Sequence, residues 1–347
     1  MSVREGVAVQ NASDRPSLLV LGGTRFVGRA VVEAVLADGY RVTLFNRGLT
    51  DPGLFAEAGV ETLVGDRTGD LSALEGRSWD AVIDVAGYLP EVVQRSVDVL
   101  GDRVGRYVFV STISVLADLS TVQDEDGAVL EPVDGLPPVQ LYGANKAVCE
   151  RIVRDAYGER ASIVRPGLIV GPHDPTDRFA YWPRRFRRGG RVLLPGDPAD
   201  PTQFIDVRDV ARWILGCVAA QRGGTYHVTG RTMPIGSFLE ACRAAVGASA
   251  ASVAPAASVA EEVWVGTETL LKAGVAPWMG VPLWVGDPEF AAANRTDISR
   301  ALAAGLTFRP LAETLADTDA WDTLRGGPDA DKEGLTPAEE ERLLDAR

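Results

Sequence analysis

The chain has 347 residues and carries 35 Lys+Arg against 48 Asp+Glu, a formal charge of -13. Such an acidic balance argues against broad nucleic-acid binding, which needs a basic face for phosphates. With 46% hydrophobic and 24% charged residues, the composition is that of a globular protein of about two domains, not of a disordered chain. Three cysteines (Cys149, Cys217, Cys242) without a short spacing exclude a disulfide scaffold and a thiolate zinc site. Two isolated histidines, His173 and His227, build no metal centre. No apolar run reaches the ~20 residues that span a bilayer. The polar start, with Arg4, Glu5 and Asp14, lacks the apolar centre of a signal peptide. A cytoplasmic, enzyme-sized protein without a membrane segment is the expectation.

Residues 1–16 show neither helical nor strand period and read as a flexible lead-in. The run 17–21 (Ser-Leu-Leu-Val-Leu) is apolar throughout, as a strand buried on both faces would be. Phe26, Val27, Ala30, Val31, Ala34 and Val35 then form a helical stripe that Gly39 ends. Strands are expected at 41–45, 61–64, 79–85, 106–110 and 161–165, with helices over 91–100 and 142–157. This alternation predicts an α/β fold, a Rossmann-type doubly wound parallel sheet, with a ligand at the carboxyl edge of its strands. After Gly171 the alternation weakens. The dinucleotide-binding domain is therefore drawn over 17–172, with 202–230 returning to it. A smaller, interleaved C-terminal substrate domain takes 173–201 and 231–325, and an acidic tail takes 326–347. Within the tail, Thr336-Pro-Ala-Glu339 has the pattern of a capping box opening a last helix.

Strand one runs into Gly22-Gly-Thr-Arg-Phe-Val-Gly28, where a helix begins. A glycine turn between strand and helix lets backbone N–H groups approach a pyrophosphate at the positive helix end. Gly22, Thr24, Arg25, Phe26, Val27 and Gly28 are thus cofactor candidates; the plainer reading is an ordinary tight turn. Strand two ends in Asn46-Arg47, where NAD sites usually carry an acid for the ribose 2′-hydroxyl. Asn46, Arg47 and Arg25 offer donors to a 2′-phosphate and no repelling carboxylate, so NADP is favoured over NAD. The alternative is that both arginines are merely solvated. Asp66 and Arg67 follow strand three, with Asp66 placed to cap an adenine. Ala86, Gly87 and Tyr88 follow strand four as a cleft wall.

Tyr142 and Lys146 lie four residues apart on one helical face. A phenol has a pKa of ~10 in isolation, and a neighbouring ammonium favours its ionised form. Ser111 and Thr112 end the preceding strand; their simpler reading is a cap for the next turn. On the glycine loop, Gly65-Asp66, 107–112, Tyr142-x-x-x-Lys146, 164–172 and 204–210, the chain resembles an extended short-chain dehydrogenase/reductase over roughly 17–320. That is the superfamily of NAD-dependent epimerases and dehydratases. The resemblance implies Tyr142 as acid/base, Lys146 as the residue that holds the ribose and lowers the Tyr142 pKa, and Thr112 as a hydrogen-bond donor to the reacting oxygen. It matches Arg165, Pro166 and Gly167 to the segment that borders the nicotinamide, and Ser111, at the strand end, is a further cofactor candidate. Dimerisation through the helix pair that includes the Tyr142 helix is common in that superfamily, so a homodimer is one option and the oligomeric state stays open.

Arg25 stands where the middle glycine of the superfamily's loop is expected. With Asn46-Arg47-Gly48, this looks like the atypical branch that holds chloroplast RNA-binding members and isoflavone-reductase-like bacterial proteins. Ile113-Ser114 replaces the Asp-Glu pair of sugar 4,6-dehydratases, and an apolar Ile transfers no proton. Gln203 replaces an arginine that related enzymes aim at a nucleotide diphosphate, which weakens a nucleotide-sugar substrate. Substrate candidates are Ser114, His173, Arg178, Tyr181 and Trp182. The arginines from 178 to 191 either hold an anionic substrate or pair with the chain's surplus acids. The expectation is a small-molecule NAD(P)-dependent oxidoreductase, with a tightly bound-cofactor sugar or nucleotide-sugar epimerase as its rival. A third reading is a non-catalytic nucleotide- or RNA-binding protein.

Overall fold

The computed structural model describes residues 15–250, 260–278, 280–327 and 334–345. The expected lead-in therefore lies almost wholly outside the described residues. The strands are β1 (Ser17–Leu21), β2 (Arg41–Asn46), β3 (Glu61–Val64), β4 (Trp79–Asp84), β5 (Val104–Val110), β6 (Ala161–Pro166), β7 (Leu168–Val170), β8 (Arg191–Pro195), β9 (Pro201–Thr202), β10 (Phe204–Asp206), β11 (Gly224–Val228), β12 (Met233–Pro234) and β13 (Glu261–Val265). The helices are α1 (Phe26–Ala37), α2 (Pro90–Leu100), α3 (Pro138–Tyr157), α4 (Tyr181–Arg188), α5 (Val207–Ala219), α6 (Ile235–Ala250), α7 (Thr267–Lys272), α8 (Ser299–Ala303), α9 (Leu311–Leu324) and α10 (Pro337–Asp345).

A seven-stranded sheet runs in the order β11-β6-β5-β4-β1-β2-β3. It is the expected Rossmann-like α/β fold, with the order reversing after β1 as a doubly wound sheet requires. In register, Phe45, Leu21, Asp84 and Phe109 stand side by side across β2, β1, β4 and β5. The loops leaving β1, β2 and β4 therefore start at one edge. β1 is fully buried along its length, which is why its sequence shows no alternation.

Two compact units are distinguishable. The first takes the described residues of 1–110, 148–163 and 214–224; the second takes those of 111–147, 164–213 and 225–347. The first is centred on Leu19, Leu21, Phe45, Val82, Phe109 and Ile163, with Cys149, Val153 and Tyr157 of α3 packed among them. The second has its own core, in which Phe179, Trp182, Phe186, Phe204, Phe238 and Trp284 are buried. The C-terminal segment is part of it. Thr336 and Glu339 close the expected capping box, Glu339 N donating to Thr336 Oγ1 at 3.3 Å and Thr336 N to Glu339 Oε2 at 2.9 Å. Leu343 and Leu344 of α10 then enter the core. No described helix is long and apolar enough to cross a membrane.

Candidate functional site

In the first unit, the loop after β1 takes a shape that side chains oppose. Gly22 and Gly23 have φ of +109° and +108°, and a Cβ on Gly28 would lie 2.8 Å from Gly23 N. The third glycine thus lets α1 begin flush against the loop. Phe26, a non-glycine at φ +40°, holds the strained turn between them. No side chain caps the N-terminus of α1, and its first turn contains no acid. Its free backbone donors suit an anion. A dinucleotide pyrophosphate fits these features.

Around that loop, Asn46 accepts Gly48 N at 2.8 Å and donates to Gly22 O at 3.4 Å, so its carboxamide ties the end of β2 to the glycine loop. Arg25 and Arg47 are exposed, and Thr24 and Val27 are half-buried. Asp66 Oδ1 accepts Thr68 N at 2.9 Å and Thr68 Oγ1 at 2.8 Å. The backbone bond first, then the hydroxyl, holds its carboxyl below the usual range. Tyr88 is exposed and Ala86 half-buried, while Gly87 is buried with Phe109 Cε2 2.6 Å from where a Cβ would sit.

Arg67 departs from the expectation that it faces a ligand. Its guanidinium is buried and bonds both oxygens of Asp84, each at 2.7 Å. Burial pushes the Asp84 carboxyl up, but the Arg67 charge and hydrogen bonds outweigh this, leaving it below the usual carboxylate range. Tyr107, held well above its ordinary value by burial, remains a phenol and donates to Asp84 Oδ2 at 2.8 Å. Nothing local in the sequence marks this trio; the partners are 17 and 23 residues away from Asp84.

In the second unit, Ser111 is buried and its N–H donates to Val164 O at 2.6 Å. Thr112 caps the turn 113–115, accepting Ser114 N at 3.1 Å, and its hydroxyl donates to Ser114 Oγ at 3.1 Å. α3 starts four residues before the expected Tyr142, at Pro138. Lys146 is 3% exposed and Tyr142 is 37% exposed, so the ammonium is enclosed while the phenol reaches the surface of this unit. Gly143, which the motif reading passed over, joins these elements. A Cβ there would lie 2.0 Å from Ser114 O and 2.9 Å from Leu130 Cδ1. Only a glycine lets the Tyr142–Lys146 helix rest directly on the Thr112–Ser114 turn.

Pro166 is buried, and a Cβ on Gly167 would lie 2.5 Å from Thr229 Oγ1. Arg165 donates to Glu125 O at 3.1 Å, fixing the segment just before them. Gln203 is consumed by the fold: it donates to Gly230 O at 2.8 Å and Thr296 O at 3.1 Å, and accepts Thr296 N at 2.9 Å.

The expected substrate residues divide. His173 is half-buried at φ +68° and stacks edgewise on Trp321 at 5.5 Å. Arg178 is half-buried with Nε on Thr176 Oγ1 at 3.1 Å. Tyr181 and Trp182, by contrast, are buried in the second unit's core. Trp182 is fully buried with Nε1 on Pro282 O at 3.0 Å, and Tyr181 is 9% exposed. The arginine cluster pairs with acids. Arg185 meets Glu340 at 2.7 Å, Arg188 meets Glu340 at 2.6 Å, Arg184 meets Asp322 at 2.8 Å and Arg187 meets Asp319. Among the described residues no group of His, Cys, Asp and Glu could hold a metal.

A model of the NAD-dependent epimerase/dehydratase family matches residues 18–229. Among curated proteins, the chain is 25% identical over 264 residues to chloroplast stem-loop binding protein of 41 kDa b of Arabidopsis thaliana. That match covers 70% of this chain and 66%, just under two thirds, of the plant protein. It is 27% identical over 271 residues to 2-alkyl-3-oxoalkanoate reductase of Stenotrophomonas maltophilia, covering 67% of this chain and 76% of the reductase. Among solved structures, the Bordetella bronchiseptica enzyme WbmH in complex with NAD+ aligns with a TM-score of 0.65 at 19% identity, over 90% of this chain and 99% of that one. This last likeness bears on the fold.

Proposed function

The chain belongs to the NAD-dependent epimerase/dehydratase family, enzymes of the extended short-chain dehydrogenase/reductase type, and from that premise we propose that it is an NADPH-preferring oxidoreductase interconverting a carbonyl and an alcohol on a small molecule. The observation that carries this is the contact at Gly143, which seats the Tyr142–Lys146 helix on the Thr112–Ser114 turn. When bound, the dinucleotide supplies or accepts the hydride. Tyr142 then gives its Oη proton to the carbonyl oxygen, or removes it from the alcohol in the reverse direction. The enclosed Lys146 ammonium favours the Tyr142 phenolate and brings the phenol toward working pH. Thr112 steadies the reacting oxygen through Ser114: its hydroxyl donates to Ser114 Oγ, which leaves the Ser114 proton to donate to that oxygen.

The preference for NADPH rests on Arg25 and Arg47, exposed cations near the glycine loop and the end of β2, and on Asn46 standing where an acid would repel a 2′-phosphate. Ser111, Pro166 and Gly167 border the nicotinamide; Gly22 to Gly28, Asp66 and Ala86 to Tyr88 take the rest of the cofactor. Ser114, His173 and Arg178 face the substrate. A nucleotide diphosphate is the less suitable substrate, because Gln203 has its donors and acceptor engaged by Gly230 and Thr296. The reductase among its relatives points the same way.

The test follows reduced-cofactor absorbance while the purified protein is offered aldehydes and ketones with NADPH or NADH. Net oxidation, faster with NADPH, is expected. Tyr142→Phe should lower kcat by about 10²- to 10⁴-fold while NADPH still binds. A cofactor that stays bound and shows no net turnover with any carbonyl would favour the epimerase instead.

A further inference from the structure

Asp84 is the last residue of β4, fully buried, and every bond to its carboxylate leads to a different element. Arg67, from the loop after β3, holds both oxygens at 2.7 Å. Ala86 N, from the loop after β4, donates to Oδ1 at 3.0 Å, and Tyr107 of β5 donates to Oδ2 at 2.8 Å. Arg67 Nε continues to Ser96 Oγ of α2 at 3.0 Å, and that hydroxyl donates to Val92 O at 3.1 Å. Arg95 of α2 adds a second tie, reaching Thr68 O at 2.7 Å.

Buried ion pairs contribute little net stability compared with well-packed apolar residues of the same volume. What this pair fixes is geometry. A Cβ on Gly87 would lie 3.0 Å from Asp84 Oδ2, 2.6 Å from Phe109 Cε2 and 2.8 Å from Val93 Cγ2. The backbone after β4 is therefore pressed onto the carboxylate, while the loop after β3 is held by the planar fork of the arginine. Both loops leave the carboxyl edge of the sheet.

We propose that Arg67 and Asp84 are positioning residues that fix the spacing between the 65–68 and 86–87 loops, and so set the affinity for the pyridine dinucleotide without touching it. The inference rests on the dinucleotide reading above. It assigns Arg67 to the cofactor site through Asp84 and not through direct contact.

The experiment measures NADPH binding by fluorescence titration, thermal melting and turnover in the full chain carrying Arg67→Leu with Asp84→Asn. Removing both charges spares the fold the cost of an unpaired ion; the Asn keeps one acceptor oxygen, for Ala86 N, and its Nδ2 donates to the Tyr107 hydroxyl oxygen instead of accepting from it. The dissociation constant for NADPH should rise about tenfold, because loose supports degrade site geometry. At saturating NADPH, kcat should stay within about twofold of wild type, since the proton-transfer groups are untouched. A purely structural role would instead lower the melting temperature and leave affinity unchanged in the folded fraction. Arg67→Lys separates fork geometry from charge, since a point charge cannot hold both carboxylate oxygens. It too should weaken NADPH binding. Should the double variant fail to fold, Arg67→Lys carries the test alone, and unaltered NADPH affinity in that protein overturns the proposal. Wild-type protein that takes up neither NADPH nor NADH sinks the dinucleotide reading itself. Wild type and folded variants binding equally well leave that reading standing and refute this one.

Discussion

Gly143→Ala isolates the contact on which the catalytic assignment turns. The added Cβ would sit 2.0 Å from Ser114 O, whereas real Cβ atoms essentially never come within 3.0 Å. Helix α3 and the 112–114 turn must therefore part by about 1 Å, because the clash is with backbone; the Leu130 side chain, its Cδ1 2.9 Å from the same point, can turn aside. Two terms bear on stability. Overpacking costs about 1–3 kcal/mol, while replacing glycine by alanine inside a helix returns about 1 kcal/mol. The melting temperature should thus change by only a few degrees, roughly 2–4 °C per kcal/mol for a chain somewhat smaller than this one. Activity should suffer far more, because a displacement near 1 Å between reacting groups can cost about 10²-fold in rate. The assay is carbonyl-dependent NADPH oxidation alongside a thermal melt and an NADPH titration. Full kcat in a folded Gly143→Ala protein would refute the claim that the Thr112 turn and the Tyr142–Lys146 helix act together.

Three further outcomes follow from the same geometry. Arg47→Ala should weaken NADPH by about tenfold or more, since a charge-assisted hydrogen bond is worth ~1.5–3 kcal/mol, and leave NADH binding nearly as it was; equal losses for both cofactors contradict the 2′-phosphate assignment. Glu340→Ala leaves Arg185 buried without its carboxylate and should destabilise the protein by about 3–5 kcal/mol in denaturant titrations, whereas an effect below about 1 kcal/mol would mean that α10 is peripheral. Asp174 is 2% exposed, its Oδ2 has no hydrogen-bond partner, and burial raises its carboxyl above the ordinary value despite the bonds from Thr176. A raised folded-state pKa means that stability is lost as pH climbs from the unfolded value through the folded one. Asp174→Asn should therefore melt higher than wild type at neutral pH, and the difference should shrink toward pH 4; a gain independent of pH contradicts burial of the charge.

What the sequence disclosed is what neighbouring residues decide. β1 to β6 follow from apolar runs, and the glycine loop from the need for positive φ next to a helix start. The Thr336–Glu339 box follows from an offset of three residues. Each depends on a residue pattern contained within one turn or one strand. The start of α3 was hidden because Pro138 to Leu141 carry no helical stripe that separates them from the preceding loop, although a proline at a helix start is itself a signal. The burial of Tyr181 and Trp182 was not legible because an aromatic beside arginines looks the same whether it lines a pocket or fills a core. Only the carbonyl of Pro282, 100 residues away, settles Trp182.

The arginines make the same point about charge. A chain with surplus acid has carboxylates for most of its cations, yet the partner of a given arginine is chosen by topology and not by spacing. Arg67 finds Asp84 across two strands, and Arg185 finds Glu340 155 residues away. Strand-end position alone therefore cannot separate a ligand-facing cation from a structural one, and burial with bidentate pairing can. By that criterion Arg67 and Arg185 belong to the fold, while exposed Arg25 and Arg47 stand beside a helix end that lacks both a side-chain cap and an acid. On the function proposed above, this positive-φ loop with its exposed arginines is where an acidic protein would accept an anion from outside the chain.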